Sequence, residues 1–371
     1  MSKIDELITQ YCPDGVELKE LDELLGYQQP TKFIVKSTEY DNNFVTPVLT
    51  AGQSFVLGYT NEKEGIYDAN KENPVIIFDD FTTSFHWVDF PFKVKSSAMK
   101  ILTPLANESI NFRFIYYAMK CIFYKPQDHA RQWISIYSKF QISFPPLTIQ
   151  QEIVKILDNF TSLETELETE LEARMRQYEF YRKQLLAFED KEVEWKTLGE
   201  AGKIKRGVAF TKKQSIFGKY PVVANAPVPI SFHNEANRSG ECVVIARSGA
   251  NAGLVSYWNE EFFLTDAFSI HPDNDLLNTK FLYYFLKNLQ REIHLMKKGF
   301  GVPHVRASDF EIYYVPIPPL AEQERIVDIL DKFDALVNDI SMGLPAEIKA
   351  RRQQYEYYRG KLLSFNEVQK N

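Results

Sequence analysis

Three cysteines in 371 residues, Cys12, Cys121 and Cys242, are too few and too scattered for a disulfide framework or a thiolate metal site. Their odd number fits a reducing compartment. Apolar runs of bilayer length are also missing, which argues against a membrane-spanning helix. The opening Met1-Ser2-Lys3-Ile4-Asp5-Glu6 lacks the basic-then-apolar layout of a secretory leader, so a cytoplasmic protein is expected. There is no Gly-x-x-x-x-Gly-Lys-Ser/Thr phosphate loop and no His/Cys cluster at metal spacing, so no catalytic or metal residue is assigned. The Pro-Pro pairs, in Ser143-Phe144-Pro145-Pro146-Leu147 and Pro316-Ile317-Pro318-Pro319-Leu320, lack the flanks of an adenine-methyltransferase motif. They read as helix-entry punctuation. Asp79-Asp80 resembles a carboxylate pair for acid–base work, but a turn after a buried strand explains it better, because no second cluster supports catalysis. Overall positive charge is lacking too. The net charge is −7, and a nucleic-acid binder of this composition has to concentrate its cations locally.

What the chain does contain is a repeat. Pro145 to Phe160 recurs as Pro318 to Phe333, an offset of 173, with ten identical positions: both prolines, Leu147, Gln150, Ile153, Val154, Ile156, Leu157, Asp158 and Phe160. Gln177-Tyr178-Glu179-Phe180-Tyr181-Arg182 recurs as Gln354-Tyr355-Glu356-Tyr357-Tyr358-Arg359 at an offset of 177. Val16 to Leu21 likewise resembles Val193 to Leu198. A duplication is the economical explanation.

Apolar residues at Ile153, Leu157, Phe160, Leu163, Leu167, Leu171, Tyr178 and Leu185 fall on one helical stripe, and Ile326, Leu330, Phe333, Leu336, Ile340, Leu344, Ile348, Tyr355 and Leu362 form its twin. A helix from about Ile149 to Phe188 would be ~60 Å long and needs a partner along its length. The natural partner is the second copy, in an antiparallel pair. The change of offset places four extra residues in the second helix, a stutter in the seam, and Gly343 and Pro345 should kink or break it. Between the helices lie short β runs such as Pro74 to Phe78, Cys242 to Ala246 and Leu254 to Trp258, with helices around Phe112 to Cys121 and Lys280 to Met296. The expected fold is α+β. A first α+β domain spans 1–147, a first long helix 148–190, a second α+β domain 191–320 and a second long helix 321–371, with a pseudo-two-fold internal repeat.

Positive charge clusters in two places. Ala201 to Asn234 holds Lys203, Lys205, Arg206, Lys212, Lys213 and Lys219 with no acid at all, and Lys93 to Lys139 holds eight cations, Lys93, Lys95 and Arg131 among them, against Glu108 and Asp128. Phosphate neutralisation needs such clusters, and base reading needs Arg, Lys, Asn, Gln, Ser, Thr and His beside them. Candidate DNA-contacting residues on loops are therefore Thr82, Thr83 and His86; His129, Arg131 and Gln132; Asn225; Arg247, Ser248 and Asn251; and Lys297, Lys298, His304 and Arg306. Surface lysines taken singly would only solvate the fold, and most of the 28 Phe and 20 Tyr belong to the core. The recurrence of basic loops in both copies is what favours DNA.

With these residues in place, the chain resembles the specificity subunits of type I restriction–modification enzymes. The resemblance rests on the duplicated Pro-Pro-Leu-x-x-Gln to Phe opening and the Gln-Tyr-x-x-Tyr-Arg to Leu-Leu ending. Arg247-Ser248-Gly249 to Gly253 with Leu264 to Phe268 looks like one class of target-recognition domain, and Ile76 to Thr83 with Val88 to Phe92 like another. The resemblance implies a non-enzymatic subunit that reads a split, asymmetric target on double-stranded DNA, one half per recognition domain. It implies docking to two modification (methyltransferase) subunits and to motor–nuclease restriction subunits. The complex would use S-adenosylmethionine, and ATP with Mg²⁺ for restriction, none of it bound by this chain. A coiled-coil adaptor that binds only protein is the competing reading, but it leaves two basic β domains idle. Exchanging Lys219 through Arg306 for a relative's segment is expected to alter one half-site.

Overall fold

Val75-Ile76-Ile77-Phe78 is apolar at every position rather than at alternate ones because the strand Val75–Asp79 is covered on both faces. Ile76 and Phe78 point into a core shared with helices, while Val75 and Ile77 point into a core shared with a second sheet. Cys242–Ala246 repeats the pattern: Val243 and Ile245 face helices, Cys242 and Val244 face the other sheet. The computed structural model describes residues 3–50, 52, 55–106, 109–127, 130–189, 191–210, 218–299 and 301–367. The chain divides into two units, residues 1–166 with 349–371 and residues 167–348.

In the first unit a four-stranded antiparallel sheet runs in the order Leu25–Gln28, Met99–Pro104, Val75–Asp79, Phe85–Val88. A smaller sheet, Val56–Thr60, Thr46–Leu49 and Lys93–Val94, covers one face, and Leu18–Glu20 pairs with Gln141–Ser143. The second unit has the same three sheets in the same order. Its large sheet runs Gly202–Arg206, Ala267–Pro272, Cys242–Ala246, Val255–Trp258; its small one runs Ser231–His233, Tyr220–Val223, Phe263–Leu264; and Glu194–Thr197 pairs with Tyr314–Ile317. The two sequence classes of recognition domain are thus carried on one strand order.

The repeated residues are locks between a recognition domain and the helix beside it. In the first unit Asn111 caps the helix Phe112–Met119 by accepting from Phe114 N. Gln150, fully buried, accepts from Asn111 N (2.9 Å) and donates to Ser109 O (3.1 Å) and Pro145 O (2.8 Å). In the second unit Asn278 caps Thr279–Asn288, and Gln323 makes the same three bonds, from Asn278 N and to Leu276 O and Pro318 O. Asp158 accepts from Arg113 Nε (2.9 Å) and the Tyr117 hydroxyl (2.5 Å); Asp331 accepts from Lys280 Nζ (2.5 Å) and the Tyr284 hydroxyl (2.6 Å). Burial, reinforced by these carboxylates, pushes both tyrosine hydroxyls up in pKa, so they remain donors.

The first long helix is continuous over 39 residues, Leu147–Leu185. Within the first unit its opening half runs antiparallel to the closing helix, Leu344–Leu362, with Phe160 stacked on Tyr358 (5.6 Å) and Glu164 paired with Arg352. Within the second unit its closing half runs antiparallel to Leu320–Asn338, with Phe333 stacked on Tyr178 (6.0 Å) and Tyr181 (5.6 Å). Arg182 and Arg359, another repeated pair, lie over the rings of Tyr178 and Tyr355, each at 5.2 Å.

The second long helix is not one element. It breaks into Leu320–Asn338 and Leu344–Leu362, so the stutter is realised as a turn. Asp339 closes that turn, its carboxylate accepting from Ser341 N, the Ser341 hydroxyl and Met342 N. A Cβ on Gly343 would stand 2.5 Å from Ala335 O and 2.8 Å from Leu336 O, so only glycine lets the chain pass the end of the preceding helix. Pro345 follows in the first turn of the new helix, where its missing N–H costs nothing. Among the described residues no helix is long and apolar enough to cross a membrane.

Candidate nucleic-acid interface

The site is clearest in the second unit, at the end of the strand Cys242–Ala246. There the chain turns through Arg247-Ser248-Gly249 to Gly253. Gly249 (φ 76°) and Gly253 (φ 84°) take left-handed backbone that other residues resist, and Gly253 packs so closely on Ile293 that a Cβ would lie 3.1 Å from it. Arg247 N donates to Asp266 O (3.0 Å), Val305 N to Arg247 O (2.9 Å) and Gly249 N to Pro303 O (3.1 Å). The Ser248 hydroxyl donates to the Asp266 carboxylate, and Asn225 Nδ2 donates to Ser248 O (3.2 Å). Asp266 itself is at φ 35°, a strained conformation held by this network.

These ties bring Arg206, Arg247 and Arg306 to the rim of a cleft of about 360 Å³, with Asp266, His304 and Ser308 in its wall. All three arginines are exposed, and among the described residues their guanidinium groups have no hydrogen-bond or ion-pair partner. Arg238 is the contrast. Its guanidinium is engaged by Ser269 Oγ (2.7 Å), Asn237 O (2.7 Å) and Arg206 O (2.7 Å), so it fixes the root of Arg206 rather than reaching outward. Next to it, burial together with the charges of Lys205 and Arg238 pushes His271 down to about 4, leaving it neutral near pH 7.

The equivalent place in the first unit is filled. Strand register puts Asp80 where the second unit has Arg247: Asp80 N donates to Ala98 O (2.9 Å) as Arg247 N does to Asp266 O, and Gln132 N donates to Asp80 O (2.8 Å) as Val305 N does to Arg247 O. Asp80 and Lys100 are both fully buried, with Oδ2 and Nζ 3.0 Å apart. Asp80 also accepts from Trp133 N (2.8 Å), and the Trp133 ring is buried against Phe78 and Tyr137. Asp79 accepts from Phe81 N and Thr82 N and closes the turn. Both carboxylates are therefore structural.

Several sequence candidates need correction. Lys93 is buried, donating to Glu64 O (2.6 Å) and paired with Glu62 (3.0 Å), and it presents no charge to solvent. Gln132 is fully buried, accepting from the Tyr124 hydroxyl and donating to Ala130 O. Thr83 is buried at the turn, and Ser248 is buried against Asp266. Lys297 donates to Ala250 O and Lys298 pairs with Asp309, so both brace loops. Asn225 and Asn251 hold each other's loops through Asn251 Nδ2 to Asn225 O (3.0 Å). His86 is half-buried and stacked on Phe55 at 4.4 Å. Sequence reasoning could not foresee these, because a lysine's burial depends on a carboxylate far away in the chain.

Thr82, Lys95, Arg131, Lys203, Lys205, Arg206, Lys219, Arg247 and Arg306 are exposed, and His304 is half-buried with its Nδ1 unpartnered among the described residues. Lys95 donates to the Tyr40 hydroxyl and Lys219 lies over the Tyr220 ring, so each has a local tether. His129, Lys212 and Lys213 lie outside the described residues. Ser308 and Asp266 are site residues not singled out beforehand. The Thr265-Asp266 step was legible as part of a motif, but nothing in Ser308 marked it.

A model of the type I restriction modification DNA specificity domain matches twice, at residues 13–176 and 190–350. The EcoR124I/EcoR124II type I specificity subunit of Escherichia coli is 39% identical, covering 98% of this chain and 97% of its own length. A chain of Haemophilus influenzae assigned to the same subunit type is 30% identical over 95% and 96%. A crystal structure of the type I S subunit from M. genitalium shares the fold, with a TM-score of 0.66 at 18% identity over 94% of this chain and 96% of that one. On the twofold family match, the full-length relatives and the duplicated units, the chain belongs to the family of type I restriction–modification DNA specificity subunits.

Proposed function

We propose that this chain directs a type I restriction–modification complex to a split DNA target, each unit reading one half. The observation that carries this is the cleft in the second unit: three exposed arginines, without partners among the described residues, line one cleft in a chain whose net charge is −7. Unpaired cations are unfavourable neighbours and persist where an anionic ligand completes them. The exposed Lys203 and Lys205 of the adjoining strand would neutralise phosphates, and the arginines would reach base edges. The chain itself would be non-catalytic and would act in the cytoplasm. Two modification subunits would supply adenine methylation from S-adenosylmethionine, and motor–nuclease subunits would supply ATP- and Mg²⁺-dependent cleavage.

The test is methylome sequencing of cells that carry the chain with its cognate modification subunit. A split adenine motif that appears with this chain and vanishes without it is the expected outcome; the absence of such a motif sinks the reading. Binding of the assembled complex to DNA should also weaken steeply with salt, which a purely protein-binding adaptor would not show.

A further inference from the structure

Resting on that reading, we propose that the second unit's cleft reads a G·C base pair from the major groove, with Arg247 on the guanine and Asp266 on the cytosine. The argument turns on a carboxylate in a basic cleft. A pocket built for phosphate gains nothing from Asp266 in its wall, because like charges repel there. A G·C pair, in contrast, presents two acceptors on guanine, O6 and N7, beside one donor, the cytosine N4 amino group. An arginine fork next to a carboxylate is the complement of that edge.

The roots of the two side chains are fixed together. Arg247 N bonds Asp266 O at 3.0 Å, and the Ser248 hydroxyl holds one carboxylate oxygen, leaving the other without a protein partner among the described residues. Arg306 follows Val305, whose N–H bonds Arg247 O at 2.9 Å, so it rises beside them and flanks the pair. Base reading needs such fixed roots, whereas phosphate contacts tolerate flexible ones. The first unit cannot use this device. Its Asp80 takes the place of Arg247 and is fully buried against Lys100.

The experiment uses the assembled modification complex on duplexes carrying its own methylated motif. Each guanine in turn is replaced by 7-deazaguanine, which lacks N7, or by inosine, which lacks only the minor-groove amino group. At one guanine of one half-site, 7-deazaguanine should weaken binding by roughly ten- to a hundredfold, while inosine there changes little. Arg247→Ala should weaken binding to the unmodified site by a similar factor and abolish the sensitivity to 7-deazaguanine; Arg247→Lys, which keeps charge without the fork, should not restore it. Arg247 is exposed, so an unchanged melting temperature separates these effects from misfolding. A half-site read by the second unit, assigned by exchanging that unit's recognition domain, that lacks any G·C pair would overturn the proposal. So would an Arg247→Ala variant that loses affinity uniformly, with the salt slope lower by about one, since that marks a phosphate contact. Either result leaves DNA reading intact, whereas a motif that does not depend on the chain removes the wider function as well.

Discussion

Asp80 and Lys100 show how one ion pair decides what a surface can do. Both are fully buried, and Tyr27 covers the ammonium at 5.5 Å. Removing one partner strands a charge, so Asp80→Ala should cost about 3–5 kcal/mol, whereas replacing both with apolar residues of similar size should cost far less. Thermal unfolding of the single and double variants would read the difference, and equal losses would count against the account. His271 makes a separate prediction with a definite sign. Its folded pKa, about 4, lies below its ordinary value, so the unfolded chain binds the extra proton between these limits. Stability is then full above about pH 6.5 and falls as pH drops towards 4, by about 1–2 kcal/mol once partial exposure is discounted. His271→Gln should flatten the dependence of melting temperature on pH across that window.

At the scale of elements, the ten identities of the repeat turn out to be mostly attachments. Gln150 and Gln323 each bind one backbone N–H and two backbone carbonyls. Replacing either by Ala should cost about 2–4 kcal/mol, through buried polar groups left unpaired, and should loosen the recognition domain from its helix. Hydrogen exchange at Asn111 or Asn278 would report it; unchanged protection would mean that the contact carries no load. The turn at Asp339–Gly343 has its own cause. Gly343→Val must push the chain away from Ala335 O and Leu336 O, whereas the continuous helix Leu147–Leu185 has no such constraint.

For the whole molecule, modularity follows from how each recognition domain is closed. Glu194–Thr197 pairs with Tyr314–Ile317, so the second domain's chain enters and leaves through adjacent strands. Exchanging residues 194–317 for a relative's segment should therefore change one half of the methylated motif and leave the other unaltered. The shorter exchange of Lys219 through Arg306 leaves Arg206, on the cleft rim, from the original chain and should give a weakened or mixed half-site. If the longer exchange altered both halves, independent reading by the two units would be wrong.

The duplication, the antiparallel helix pairing, the α+β class and the family were all legible in the sequence, because each is written in local periodicity or in residues recurring at a fixed offset. The break near Gly343 and Pro345 was legible for the same reason, since backbone chemistry is local. The site was not. Lys93 and Gln132 have the right chemistry for DNA, yet both are buried, and Lys297 is tied to the Ala250 carbonyl of another loop. Arg206, Arg247 and Arg306 look no different in sequence from Arg238, and only the folded sheet leaves three guanidinium groups open while closing the fourth. Strand order and helix seams follow from patterns along the chain; which charges remain free follows from which groups, far apart in that chain, the tertiary structure brings within hydrogen-bond distance.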